Sequence, residues 1–339
     1  MIRRFLTFAA LAATLTLTAC GAKQDNSSAP AMRSVTLMLD YTPNADHVGI
    51  YTALAQGEFR KVGLNVQIKT PPRPSAPLQV LAAGEADLVI SYEPELLIAR
   101  DKGAAVLSVG AIAQRPLTSL ISVDDKPVDP RKLEGTKIGT AGLPFQDALL
   151  DQLMSAAGVD TSKVTKVDVG FGLIGAMLSK RVAATLGGFW NIEGVQLRQQ
   201  KHRPRMMPVD RAGVPPYDEL VLVARNETVS RNGAMIRRFI GALQRGTRTV
   251  RANPQTGVAA LRAANPQLSK KLATATVVAT LPVLFPPSRR PFGWQEPAEW
   301  QSFADWMTRN DLLRGPVDTG QALTNEFLPG EGLGPETHP

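Results

Sequence analysis

Three short stretches gather the residues whose types could do chemistry. The first, LDYTPNADHVGIY at 39–51, leaves an apolar run and at once presents Asp40, Tyr41, Asn44, Asp46 and His47. The second ends a strand-like segment on Tyr92 and Glu93, and the third sets Trp190, Asn191 and Glu193 just after Gly187-Gly188. Aromatic rings offer faces for stacking, worth about 0.5–1.5 kcal/mol beyond area burial. Carboxylates and amides offer acceptors and donors for polar edges. This is the equipment of a pocket that binds. No Gly-x-Ser-x-Gly elbow, Walker loop or His-Glu-x-x-His motif occurs. The only histidines are His47, His202 and His338, which argues against a metal cluster. No catalytic residue, metal or cofactor is expected.

Each of these residues also has a plainer reading. Trp190 could be a core aromatic at a strand end, Glu193 could cap the helix that follows, and Asp40 could serve the first helix or its turn. His47 could sit in a helix first turn bonded to Asp46 or to backbone, with Tyr51 one turn further on the same face. Glu93 could be a solvated loop charge. Gly139-Thr140-Ala141-Gly142-Leu143-Pro144-Phe145 is a strand, a loop and a helix start, whose N–H groups could hold an anion or merely connect two elements. Trp294, Trp300 and Trp306 read as structural packing beside Phe303.

Position in the chain favours the pocket. Short apolar strands alternate with amphipathic helices, an α/β pattern. Strands are expected at 35–39, 64–68, 87–91, 106–112, 118–123, 137–140, 166–169, 184–189 and 219–224. Helices are expected near 46–60, 77–84, 94–102, 145–157, 173–181 and 192–200, and after residue 228 at 230–253, 255–264, 267–280 and 297–310. The Pro-rich 282–297 reads as a surface connection. Segments 81–93 and 178–193 echo each other, each a helix end, a turn and a strand closing on an aromatic and a glutamate. Two lobes built alike follow, and open α/β sheets bind ligands beyond the carboxyl ends of their strands. Tyr217 and Glu219 stand in Gly213-Val214-Pro215-Pro216-Tyr217-Asp218-Glu219, where two prolines stiffen the approach to an apolar strand, as a hinge between lobes would require.

The first residues stand apart. Arg3 and Arg4 precede an apolar stretch too short to span a bilayer, closed by Leu17-Thr18-Ala19-Cys20. This resembles a secretory leader with a bacterial lipobox, making 1–19 the signal peptide and Cys20 the lipidated residue. Cys20 is the only cysteine, so no disulfide or thiol chemistry remains downstream. The formal charge of +8 becomes +6 once Arg3 and Arg4 leave with the leader. The basic residues are dispersed, so a basic surface near anionic lipid is expected, with no nucleic-acid partner. The expected organisation is a lipidated tether at 20–33, lobe one at 34–120 plus 222–328, lobe two at 121–221 and a loose tail at 329–339.

Five motifs taken in order resemble one family: LDYTPNADHVGIY (39–51), AAGEADLVISYE (82–93), KIGTAGLPFQD (137–147), FWNIEG (189–194) and GVPPYDELVLV (213–223). They are similar to solute-binding proteins of ABC importers for thiamine-pyrimidine precursors. That group shares its fold with the yeast thiamine-pyrimidine synthase and with sulfonate- and nitrate-binding proteins. The resemblance implies a bilobal type II periplasmic-binding-protein fold, two α/β lobes joined by two crossing strands. It implies an extracytoplasmic, lipid-anchored monomer that captures an aminopyrimidine and delivers it to a permease. Asp40, Tyr41, Asn44, His47, Tyr92, Glu93, Trp190, Asn191 and Glu193 are the expected ligand-binding residues. The same fold could instead take riboflavin, a sulfonate or another heterocycle. A synthase-like enzyme is the remaining alternative. Many relatives carry Trp at Tyr41. The yeast synthase has a cysteine-rich run where this chain has Pro215-Pro216-Tyr217-Asp218-Glu219, and it consumes a histidine at the position of His47. Without those cysteines that chemistry is not expected here.

Overall fold

The computed structural model describes residues 32–124, 126, 128–286 and 290–330. The expected leader 1–19, Cys20, the tether up to residue 31 and the tail from 331 lie outside the described residues. Arg33, expected in the tether, already opens the first strand.

Among the described residues, ten strands form two five-stranded sheets. Sheet one contains β1 (Arg33–Met38), β2 (Leu64–Lys69), β3 (Leu88–Ser91), β4 (Val106–Ala113) and β10 (Leu220–Arg225), in the order β2-β1-β3-β10-β4. Sheet two contains β5 (Thr118–Val123), β6 (Lys137–Thr140), β7 (Thr165–Asp168), β8 (Ala184–Phe189) and β9 (Pro204–Pro208), in the order β7-β6-β8-β5-β9. Both follow one plan. Three strands run parallel, with the first of them in the middle, and an antiparallel fourth position is filled from across the molecule: β10 in sheet one, β5 in sheet two. The echo between 81–93 and 178–193 lands on β3 and β8, which hold equivalent places. The central strands are continuous apolar runs; Leu88–Ser91 is wholly buried, as a strand covered on both faces must be.

Helices α1 (Val48–Ala55), α2 (Glu58–Lys61), α3 (Pro77–Ala82) and α4 (Glu93–Asp101) serve sheet one. Helices α5 (Pro144–Ala156), α6 (Leu173–Leu178) and α7 (Glu193–Gln199) serve sheet two. The chain then turns helical through α8 (Asn226–Ala252), α9 (Pro254–Ala264), α10 (Lys270–Leu284) and α11 (Pro297–Arg309). Proline opens α5, α9 and α11 at the position where its missing N–H costs nothing.

Some expectations need revising. The single helix near 46–60 is a 3-10 turn at Ala45–His47, then α1 and α2, divided where Gly57 takes φ +68°. Strand β9 was not expected, because Pro204 and Pro208 bracket it; it is an edge strand, where a missing donor is tolerated. Residues 282–297 are no simple surface connection: Pro282 lies inside α10, Gln295 is fully buried, and Gly293 O accepts from Ala111 N at 2.8 Å.

Two short segments pass between the sheets, 114–117 and 213–219. Strand β5 begins at Thr118 and β10 at Leu220, so each change of sheet falls a few residues ahead of the expected 120/121 and 221/222 borders. Glu219 binds the two crossings together. Its Oε2 accepts from the backbone N–H of Leu117 (2.6 Å) and Thr118 (2.8 Å) and from the Tyr217 hydroxyl (3.1 Å), while Oε1 accepts from the Thr118 hydroxyl (2.8 Å). Burial pushes the Glu219 carboxyl up to about 7 despite those four donors. Asp218 Oδ2 accepts from the indole N–H of Trp300 at 2.7 Å, which ties α11 to the same crossing.

Candidate functional site

A narrow cleft lies where β1 and β3 of sheet one meet β6 and β8 of sheet two. Its first wall is built by the exit of β1. Asn44 caps the 3-10 turn: its Oδ1 accepts from Asp46 N at 2.8 Å, and its own N–H donates to His47 Nδ1 at 3.3 Å. That bond places the ring proton on His47 Nε2, which donates to Asp40 Oδ1 at 2.8 Å. Asp40 Oδ2 accepts from the Tyr92 hydroxyl at 2.9 Å. Both Asp40 oxygens are therefore engaged, and the carboxylate is 1 % exposed. Its visible role is to fix the Tyr92 ring at the cleft wall.

The second wall comes from sheet two. Gly187 takes φ +109°, and a Cβ there would stand 2.5 Å from Gln146 Nε2. Glycine alone leaves room for that amide. Gln146 Oε1 accepts from Ala141 N at 2.8 Å, whereas Nε2 has no hydrogen-bond partner among the described residues. Glu193 Oε2 accepts from Phe189 N at 2.7 Å, at the end of β8, so it ties its helix to that strand and does not cap α7, and the side chain lines the cleft. Burial outweighs that hydrogen bond and pushes its carboxyl up to about 7. A carboxyl poised near neutrality can offer an acceptor when ionised and a donor when protonated.

The walls touch. The Tyr41 hydroxyl donates to Phe171 O at 3.0 Å, and the two rings meet edge-on at 4.5 Å. Tyr92 lies 5.4 Å from Phe145, centroid to centroid. Asn191 Nδ2 donates to Asp46 Oδ1 at 2.7 Å and to the Thr280 hydroxyl at 2.8 Å. Asp46 Oδ2 and Asn191 Oδ1 are buried there without partners, and burial pushes the Asp46 carboxyl up to about 7.

Of the nine expected residues, Asp40, Tyr41, Asn44, Tyr92 and Glu193 line the cleft. His47 is fully buried behind Asp40. Asn191 belongs to the latch on Asp46. Trp190 is half-buried, and its N–H donates to Leu117 O at the first crossing (3.2 Å). Glu93 is no solvated loop charge: it is fully buried, and its Oε2 accepts from Asp218 N at 2.6 Å on the second crossing. The sequence reading did not single out Gln146, Phe189 or Phe171. Gln146 stands inside the KIGTAGLPFQD motif, but nothing local shows that its amide reaches across to Gly187. The loop at 139–145 does not offer the Ala141 N–H to an anion, because Gln146 Oε1 already holds it.

The family described as NMT1/THI5 like matches residues 44–257, well over half of the chain. This chain belongs to the NMT1/THI5-like family. Its matched region contains every residue that lines the cleft except Asp40 and Tyr41. The chain is 31% identical over 331 residues to the formylaminopyrimidine-binding protein of Halalkalibacterium halodurans, covering 96% of this chain and 99% of that one. A putative thiamine biosynthesis protein of Haemophilus influenzae is 32% identical over 66% of this chain and 71% of its own. The 4-amino-5-hydroxymethyl-2-methylpyrimidine phosphate synthase THI11 of Saccharomyces cerevisiae is 24% identical over 65% of this chain and 68% of its own. Among solved structures, the alkanesulfonate-binding protein SsuA of Xanthomonas axonopodis superposes with TM-score 0.68 at 16% identity, covering 87% of this chain and 99% of that one. The nitrate-binding protein NrtA of Synechocystis superposes with TM-score 0.65 at 13% identity, covering 88% of each. Those two likenesses show the fold, the bilobal periplasmic-binding-protein fold expected from the sequence.

Proposed function

We propose that this chain is the extracytoplasmic solute-binding component of an ABC importer and that its ligand is an aminopyrimidine, a precursor of the thiamine pyrimidine. One observation carries the reading. The cleft presents the aromatic residues Tyr41, Tyr92 and Phe189 together with Asp40, Glu193, Asn44 and Gln146, and among the described residues no Lys, Arg or His lines it. A sulfonate, nitrate or phosphate would meet carboxylates there and no compensating cation, at a heavy desolvation cost. A flat, uncharged heterocycle suits it better. Its face stacks on the rings, an exocyclic amine donates to Glu193, and a ring nitrogen accepts from Gln146 Nε2. The similarity to a formylaminopyrimidine-binding protein supports the same ligand class.

The binding reading is preferred to a synthase because His47 is fully buried and bonded to Asp40, and Cys20 is the only cysteine in the sequence. The two lobes, divided at the crossings 114–117 and 213–219, would close by bending there. Lipidation at Cys20 would tether the protein outside the cytoplasmic membrane, where it hands its ligand to the permease. No helix among the described residues is long and apolar enough to cross a membrane.

Thermal unfolding against an aminopyrimidine, riboflavin and an alkyl sulfonate tests this. A ligand at a hundred times its Kd adds about 2.7 kcal/mol, a shift of a few degrees for a chain of this size. Only the aminopyrimidine should produce it, and Glu193→Gln should reduce it. A shift with the sulfonate alone would refute the ligand assignment, and conversion of the aminopyrimidine during incubation would refute the binding-only role.

A further inference from the structure

A second hollow, larger than the cleft, opens beside β4 at the edge of sheet one. It shares no lining residue with the cleft, and its chemistry is opposite. Arg248, Arg251 and Arg290 line it, and among the described residues no Asp or Glu does. Ile112, Leu284, Phe285 and Phe292 supply apolar wall, and Gln114 and Gln244 also line the hollow.

Arg248 and Arg251 differ from the ion-paired arginines of the same helix. On α8, Arg231 is paired with Glu227 and Arg245 with Glu58. Arg248 and Arg251 have no carboxylate partner among the described residues, though they stand one helical turn apart with like charge. Arg251 stacks on Phe285, 5.1 Å from the ring centroid. Arg290 stacks on Trp294 at 4.7 Å and also reaches Glu296 at 3.4 Å. A cation over a ring face is attracted by the ring quadrupole. A guanidinium also presents its N–H donors in a fork that can grip an oxyanion. Two cations held together without a counter-charge, beside an aromatic wall, suit a molecule with a dianionic head and an apolar body.

We propose that this hollow is a second binding site, independent of the cleft, for the phosphate group of an amphiphile, gripped by Arg248 and Arg251 with its apolar part against Phe285 and Phe292. The phosphate could belong to a soluble organic phosphate or to the headgroup of an anionic phospholipid. The first source would give a second small ligand and the second would seat this edge of sheet one on a membrane surface.

The test uses phenyl phosphate in titration calorimetry and vesicles of phosphatidylglycerol or phosphatidylcholine in co-sedimentation. The variants are the double substitution Arg248→Gln/Arg251→Gln and, at equal charge loss, Arg181→Gln/Arg211→Gln, two exposed positions outside the hollow. All four side chains are exposed, so folding should be preserved, and circular dichroism confirms it. Saturable binding of phenyl phosphate identifies a soluble ligand, and selective binding of phosphatidylglycerol vesicles alone identifies a headgroup. In either case R248Q/R251Q should weaken binding at least about tenfold, as loss of two charged hydrogen-bonding groups requires, while R181Q/R211Q and the aminopyrimidine response stay unchanged. The proposal falls if neither probe binds saturably, or if R181Q/R211Q loses as much as R248Q/R251Q.

Discussion

Asp46 shows how much one side chain can carry. Its carboxylate is 2 % exposed, accepts from Asn191 across the closed cleft and leaves Oδ2 without a partner. Burial is the largest influence on it and raises the carboxyl from 3.8 to about 7, with His47 and Asn191 opposing and Asp40 and Glu193 reinforcing. A carboxyl that is easier to protonate when folded makes the folded state bind more protons than the unfolded state. Stability should therefore be highest below the unfolded value and fall as pH rises from about 4 to about 7. Glu95, Glu193, Asp218 and Glu219 share that direction, so the wild-type slope is a sum. Asp46→Asn keeps the acceptor for Asn191 and removes one titration. Urea midpoints at pH 5, 6 and 7 should then show a slope shallower by up to about 1.4 kcal/mol per pH unit. An unchanged slope would mean that Asp46 ionises as it does in water.

Among the elements, the two crossings matter most, because every lobe motion must pass through them. Glu219 accepts four hydrogen bonds, two from backbone N–H groups of the other crossing, and both of its oxygens are used. Glu219→Gln puts an amide NH2 where donors already converge, so at least one buried donor loses its acceptor. The expected cost is about 1–3 kcal/mol, read as a lower denaturation midpoint at unchanged m-value. Tyr217→Phe removes only one of the four bonds and should cost less. If Glu219→Gln stays within about 0.5 kcal/mol of wild type, the level of an ordinary surface change, the carboxylate does not clamp the crossings.

For the whole molecule, the described state is closed. Tyr41 to Phe171, Tyr92 to Phe145, and Asn191 to Asp46 and Thr280 are among the contacts across the cleft. A ligand shifts an open–closed equilibrium only by its difference in affinity for the two states. Tyr41→Phe keeps the edge-on ring and deletes the hydroxyl that reaches Phe171 O. Losing one hydrogen bond worth about 0.5–1.5 kcal/mol should weaken ligand binding roughly two- to tenfold. Small-angle scattering should show a larger ligand-free radius of gyration than wild type. Affinity and radius both unchanged would mean that Tyr41 serves only to pack Phe171.

The α/β alternation, nearly all the strands and the internal echo were legible in the sequence, because period and turn residues are local and the echo recurs in β3 and β8. So was the crowd at the strand exits, since strand ends in such sheets face the ligand. Tertiary structure decided which way each side chain turned. Glu93 reads as a site residue beside Tyr92, yet its carboxylate meets Asp218, more than a hundred residues away in the chain. Gln146 looks like any helical glutamine until Gly187 is folded against it. The arginine hollow at β4 gathers residues from α8, α10 and the segment after it, which no spacing rule connects. Periodicity reports which face of an element is buried; which groups converge there depends on contacts between residues far apart in sequence, and only the closed chain supplies those.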